Sequence, residues 1–265
     1  MSTSRDVLRQ ITVLVSAILG IIGVAIGSGA LGGTPTSEVA GGALSADATP
    51  IAPAGPAFSI WSVIYVGLIA YTIWQLLPKQ RADERQRRLG YPIAASLLLN
   101  AAWLLSTQAD LLLLSVPIIV VLLAVLVWIF HVCLTIPPRM TIESIVVDGT
   151  MGLYLGWVSI ATAANIAAVL TDVGFNGFGL GLDAWAVIVL AVAGVVGVLI
   201  AIYGRGRIAP TVALCWGLAW VVVGRLTGDL ISVPAAIAAL VAIAAVVGTT
   251  AVRRAGARTS AMARV

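Results

Sequence analysis

Residues 111–134 read LLLLSVPIIVVLLAVLVWIFHVCL, with no Asp, Glu, Lys or Arg from end to end. A helix needs about 20 consecutive apolar residues to cross the hydrocarbon core of a bilayer, and this stretch exceeds that. It lacks the in-and-out alternation of a membrane β-strand, so a helix is the structure that satisfies its backbone in lipid. Outward from it, the charged residues act as fence posts that leave eight uncharged stretches, each about 17 residues or longer. Helices are expected near 11–31, 57–77, 91–109, 111–134, 147–170, 184–203, 208–226 and 231–252. The fold class is therefore all-α, a polytopic membrane helix bundle of about eight transmembrane helices.

Composition agrees. Hydrophobic residues make up 60% of the 265 and charged residues 10%, with a mean hydropathy of +1.09, whereas a soluble domain carries roughly 25% charge. These values exclude a water-soluble globular protein and, equally, a disordered chain, which needs low hydrophobicity and high charge. The formal charge of +4 and pI near 9.5 do not imply nucleic acid as a partner. That reading needs a basic face on a folded domain, and here the basic residues sit in short gaps between apolar spans.

Those gaps set the orientation. Arg5 and Arg9 precede the first span; Lys79, Arg81, Arg85, Arg87 and Arg88 follow the second. Arg139 follows the fourth, Arg205 and Arg207 the sixth, and Arg253, Arg254, Arg258 and Arg264 the eighth. All but Arg225 fall on one side, which the positive-inside rule makes cytoplasmic. The expectation is a multi-pass protein of the plasma (cytoplasmic) membrane with both termini cytoplasmic. The first span, with about 20 apolar residues, is longer than the 7–15-residue core of a signal peptide and reads as an uncleaved helix.

Between the first two spans, 32–56 is rich in Gly, Ala, Pro, Ser and Thr. It reads either as a flexible linker or as a lid over an outward-facing pocket. The segment 78–90, PKQRADERQRRLG, reads as a solvated cytoplasmic loop drawn to anionic headgroups. Cys133 and Cys215 lie within apolar spans without metal-ligand spacing and read as buried thiols.

No nucleotide loop, nucleophile elbow or HExxH motif is present, and His131 is the single histidine, so no catalytic residues, metal ligands or enzymatic activity are expected. The informative residues are large aromatics and amides placed deep in the spans. Trp74, Trp128, Trp185 and Tyr203 fall at span ends, where amphipathic rings form the interfacial belt. Trp61, Tyr65, Trp103, Trp157, Trp216 and Trp220 lie further in, as do Asn100 and Asn165, whose amides are costly in hydrocarbon unless partnered. Trp61 and Tyr65 are four apart, Asn100 and Trp103 three, and Trp157 and Asn165 eight, so each group occupies one helix face. At about 1.5 Å per residue, all but Trp157 of the first three groups lie within roughly 15 Å of the outer surface.

Two pairs, Gly23/Gly27 and Gly152/Gly156, have the GxxxG spacing that lets helices approach closely, although glycine is also simply frequent in membrane helices. Arg225 and Asp229 read as an i,i+4 pair, and Asp148 opens the fifth span.

Three of these stretches resemble a known family. Phe58-Ser59-Ile60-Trp61-Ser62-Val63-Ile64-Tyr65, continuing to Trp74, resembles the second-helix signature of the tryptophan-rich sensory protein family, also called TspO/MBR or translocator protein. Leu99-Asn100-Ala101-Ala102-Trp103 is similar to its third-helix LNxxW. Trp157-Val158-Ser159-Ile160-Ala161-Thr162-Ala163-Ala164-Asn165 is similar to its fifth-helix WVSFATxxN. The family's additional Trp ahead of the second-helix motif is absent, the segment here reading Gly55-Pro56-Ala57-Phe58.

The resemblance implies a five-helix TspO-like domain over 1–175, leaving 176–252 as an added three-helix extension and 253–265 as a basic cytoplasmic tail. It implies a ligand pocket lined by Trp61, Tyr65, Asn100, Trp103, Trp157 and Asn165. The ligand it implies is hydrophobic and tetrapyrrole-like, a porphyrin or haem, bound for transport or sensing with no cofactor required. Partners on this reading are membrane lipids, the ligand and a second copy in a homodimer. The alternative is a proton-coupled secondary transporter of a small solute, with Asp148 and the Arg225/Asp229 charges as its working groups.

Overall fold

The structure is a computed structural model describing residues 3–29 and 38–262, apart from the side chains at 40 and 258–262. Among the described residues, eight helices are long and apolar enough to cross a membrane. They are α1 (Ser4–Gly27), α2 (Ile60–Leu76), α3 (Glu84–Gln108), α4 (Leu112–Thr135), α5 (Thr141–Asp172), α6 (Leu182–Tyr203), α7 (Ile208–Thr227) and α8 (Val233–Met262). The eight expected spans are all present, and the chain is a polytopic helical membrane protein.

Several helices run past the limits the charges suggested, because helical hydrogen bonding need not stop where apolar sequence does. α1 begins at Ser4, where Thr3 and Asp6 cap each other's backbone in a capping box. α3 begins at Glu84, with the Asp83 carboxylate accepting from the Gln86 backbone N–H at 3.0 Å. α8 carries on through 253–262, beyond the expected span end, while Arg264 lies outside the described residues.

The segment 78–90 is not the solvated loop the sequence suggested. It is a short helix, Pro78–Arg81, followed by the opening turns of α3, and it buries Arg85 and Gln86. The reason is electrostatic pairing over a long sequence separation, described below.

The chain divides into two compact units. The first comprises residues 1–41 and 61–151. In it α1 packs along α3 through small residues: a Cβ added at Gly23 would stand 2.7 Å from that of Ala101, and one at Gly27 2.7 Å from that of Leu104. The Gly23/Gly27 spacing is thus a packing face. α5 opens in this unit with a π-helical stretch, Ser144–Gly149.

The second unit comprises residues 42–60 and 152–265. Gly152 and Gly156 of α5 lie against Ala209 and Pro210 at the start of α7, so the second GxxxG pair is also a close-approach face. α6 meets α8 at Gly194 and Gly197, which face Ala242 and Val246.

Residues 42–60 are fastened to α7. Ala54 N–H donates to the Trp220 carbonyl at 3.1 Å, and the Trp216 indole N–H donates to the Ala57 carbonyl at 2.9 Å. Arg225, whose side chain is 0% exposed, donates to the Ala46 carbonyl at 2.6 Å and the Leu230 carbonyl at 2.7 Å, and lies 3.4 Å from the Asp47 carboxylate. These bonds make 46–57 an anchored strap and not a free linker; residues 30–37 of the same connection lie outside the described residues.

The partner expected for Arg225 was Asp229. Instead α7 ends at Thr227 with Gly228 in extended conformation, so residue 229 is off the helix and the i,i+4 relation does not exist there. Replacing Arg225 with Gln is expected to speed amide exchange across 44–57 by roughly tenfold, with exchange in α3 unchanged, measured by hydrogen–deuterium exchange mass spectrometry.

Candidate ligand site

Four of the six expected site residues fall in the first unit. On α2, Trp61 and Tyr65 are one turn apart and stack with ring centroids 5.2 Å apart and planes 15° apart, a flat aromatic wall of the kind offset stacking favours. Both rings are half-buried. On α3, Asn100 is 3% exposed and its Nδ2 donates to the Tyr65 hydroxyl at 3.1 Å. Its Oδ1 is buried and meets no hydrogen-bond donor among the described residues, an acceptor whose burial costs about 1–3 kcal/mol unless something donates to it. Trp103, one turn further along α3, is buried.

The other two residues fall in the second unit. Trp157 of α5 is buried, and the Phe58 ring of the strap meets it edge-on at 5.7 Å and 81°. Gly217 of α7 admits the Trp157 ring: a Cβ there would lie 3.5 Å from its Cζ3. Asn165, two turns along α5, is buried. Trp216 and Trp220 stand edge to face at 5.7 Å and 72°, but Trp216 is spent on the strap carbonyl of Ala57.

Sequence reasoning missed Phe58 as a neighbour of Trp157, since a residue ahead of the helix gives no periodic signal. It also missed a buried charge cluster in the first unit. Arg85 donates to Glu143 at 3.0 Å, to Asp148 at 2.6 Å and to the Ile136 carbonyl at 2.8 Å, and Gln86 donates to Glu143 at 3.3 Å. The Asp148 carboxylate that opened the fifth span is therefore engaged by a guanidinium. At the span ends, Trp128 and Tyr203 are exposed as belt residues should be, and His131 lies against Trp128 with ring centroids 5.7 Å apart.

The family model described as TSPO-like protein matches residues 10–248. The chain belongs to that family. In this TSPO-like chain the match runs from α1 into α8, through all eight membrane helices. No curated protein and no solved structure matches it.

Proposed function

We propose that this TSPO-like membrane protein binds a planar hydrophobic molecule, a porphyrin or related tetrapyrrole, for transport or sensing at the plasma membrane, with both termini cytoplasmic. The observation that carries the reading is the group Trp61, Tyr65 and Asn100: a stacked aromatic pair beside a buried carbonyl oxygen that no group among the described residues serves. Stacking on the rings would supply affinity for a flat π-system, and the Asn100 oxygen would accept from a pyrrole N–H and fix its orientation. Trp103, one turn along α3 from Asn100 and buried, is proposed as a further contact on the family motif. Trp157 and Asn165, in the second unit, are proposed as ligand contacts on the resemblance to the family motif. The 14 basic residues on one side of the spans support the orientation.

Titration of detergent-purified protein with protoporphyrin, followed by quenching of tryptophan fluorescence, tests this. Wild type is expected to show saturable quenching, and Asn100→Ala and Tyr65→Phe to weaken it by about tenfold for Asn100 and less for Tyr65. Trp157→Phe and Asn165→Ala report on the second unit separately. Non-saturable quenching, or the same curve for wild type and Asn100→Ala, would reject the reading.

A further inference from the structure

Arg9 looks in the sequence like a topology-setting charge, yet the structure buries it. It is 2% exposed, and its stem crosses α3 at Gly90, where an added Cβ would meet Arg9 Cδ at 2.6 Å and Cγ at 2.7 Å. Only one guanidinium nitrogen is used: Nη2 donates to the carbonyls of Gln80 at 3.2 Å and Arg81 at 3.3 Å. Nε and Nη1 are buried and have no hydrogen-bond partner among the described residues. The nearest acids are committed elsewhere, Asp6 to Arg87 at 2.6 Å and Asp83 to Arg139 at 2.8 Å.

Near this guanidinium stands a second unused donor. The Tyr71 hydroxyl of α2 is wholly buried without a partner among the described residues and lies within electrostatic reach of Arg9. Three residues on, the Trp74 indole N–H is buried and unpartnered as well. One residue further, Gln75 ties this face of α2 to the neighbour of Arg9: Gln10 Nε2 donates to the Gln75 carbonyl at 2.5 Å, and Gln75 Nε2 to the Gln10 carbonyl at 3.2 Å. Among the described residues, the side-chain amide oxygens of Gln75 and Gln86 are buried without a donor.

A buried cation without a counter-charge is costly, and so is each buried donor left unmade. The unused Arg9 donors carry a full positive charge, so the group that best satisfies them is one that only accepts and is negative. We propose that Arg9 and Tyr71 bind an oxyanion, a carboxylate or phosphate group, at the N-terminal end of α1. The site is independent of the aromatic group on α2 and α3 and does not rest on the tetrapyrrole reading. The same oxygen chemistry is offered by a free anion and by an acidic lipid headgroup.

The test is the thermal unfolding midpoint of the full-length protein in neutral detergent. Inorganic phosphate and acetate are added at constant ionic strength, and in parallel arms phosphatidylglycerol or phosphatidylcholine is added. Wild type is expected to gain stability saturably with at least one anionic probe and not with phosphatidylcholine. Arg9→Gln and Tyr71→Phe should need about tenfold more of that probe or cease to respond, whereas Arg88→Gln, at an exposed arginine of α3, should respond like wild type. Response to the soluble anions identifies a free ligand, and response to phosphatidylglycerol alone identifies a headgroup. No shift with any anion, or equal shifts in wild type and Arg9→Gln, would overturn the proposal.

Discussion

Arg85→Met is expected to cost about 3–5 kcal/mol of stability, the usual loss when one partner of a buried ion pair is removed. Arg85 is 2% exposed and spans two carboxylates that are themselves buried, Glu143 and Asp148. Glu143 keeps two weaker donors, the Arg139 backbone N–H at 2.9 Å and Gln86 at 3.3 Å, while Asp148 loses the guanidinium that faces it at 2.6 Å. Two negative charges would then sit in an apolar bundle with no cation between them, and the opening of α5 would have to expose them to water. Arg85→Lys should fall between, because one ammonium cannot reach both carboxylates and the Ile136 carbonyl as the planar fork does. The triple variant Arg85→Met, Glu143→Gln, Asp148→Asn should recover most of the loss, because it removes the charges together. The unfolding midpoint in detergent, measured for all three, checks this. A single Arg85→Met variant as stable as wild type would show that the cluster is not a buried charge pair in the working protein.

Gly156→Ala is expected to destabilise the second unit by about 1–3 kcal/mol, the range for forcing an extra carbon into a filled interface. A Cβ at 156 would press into the carbonyl oxygen of Pro210, with the Pro210 carbonyl carbon 2.9 Å and Cα 3.0 Å away. These are backbone atoms, so no rotamer change can make room; α5 and the start of α7 would have to separate. Gly248→Ala is the matched control. Nothing lies within 4 Å of a Cβ there, so the exchange should be neutral or stabilise by up to about 1 kcal/mol through helix propensity. Thermal melts and limited proteolysis of both variants distinguish a packing face from indifferent glycine.

The eight spans were readable because lipid imposes a length and an apolarity that the sequence must show directly. The Trp61–Tyr65 stack and the two GxxxG faces were readable because helical spacing alone puts those residues on one side. The three buried arginines were not. Arg9, Arg85 and Arg225 each sit near a span end, where a charge is ordinarily solvated, and apart from the Leu230 carbonyl their partners lie 51 to 179 residues away in sequence. Periodicity carries no information about such pairs. The Arg225–Asp229 expectation failed because it assumed a helix beyond Thr227, and an i,i+4 rule holds only where the helix does. The three family-like motifs end at Asn165, whereas the family match continues to 248. What α6–α8 contribute is mostly small residues at contacts, such as Gly194, Gly197 and Ala242, which make no distinctive string.

The strap has a consequence for biosynthesis. Residues 46–57 leave the ribosome early, but the side chains that hold them belong to α7, 159 residues later for Ala57 and Trp216 and 179 later for Ala46 and Arg225. At a synthesis rate of about 5–20 residues per second, that is a wait of roughly 10–30 s. During it, α1 through α6 are inserted while the strap has no α7 to bind. Completion of α7 is thus the event that fastens 46–57, and a nascent chain stalled after α6 would present these residues undocked.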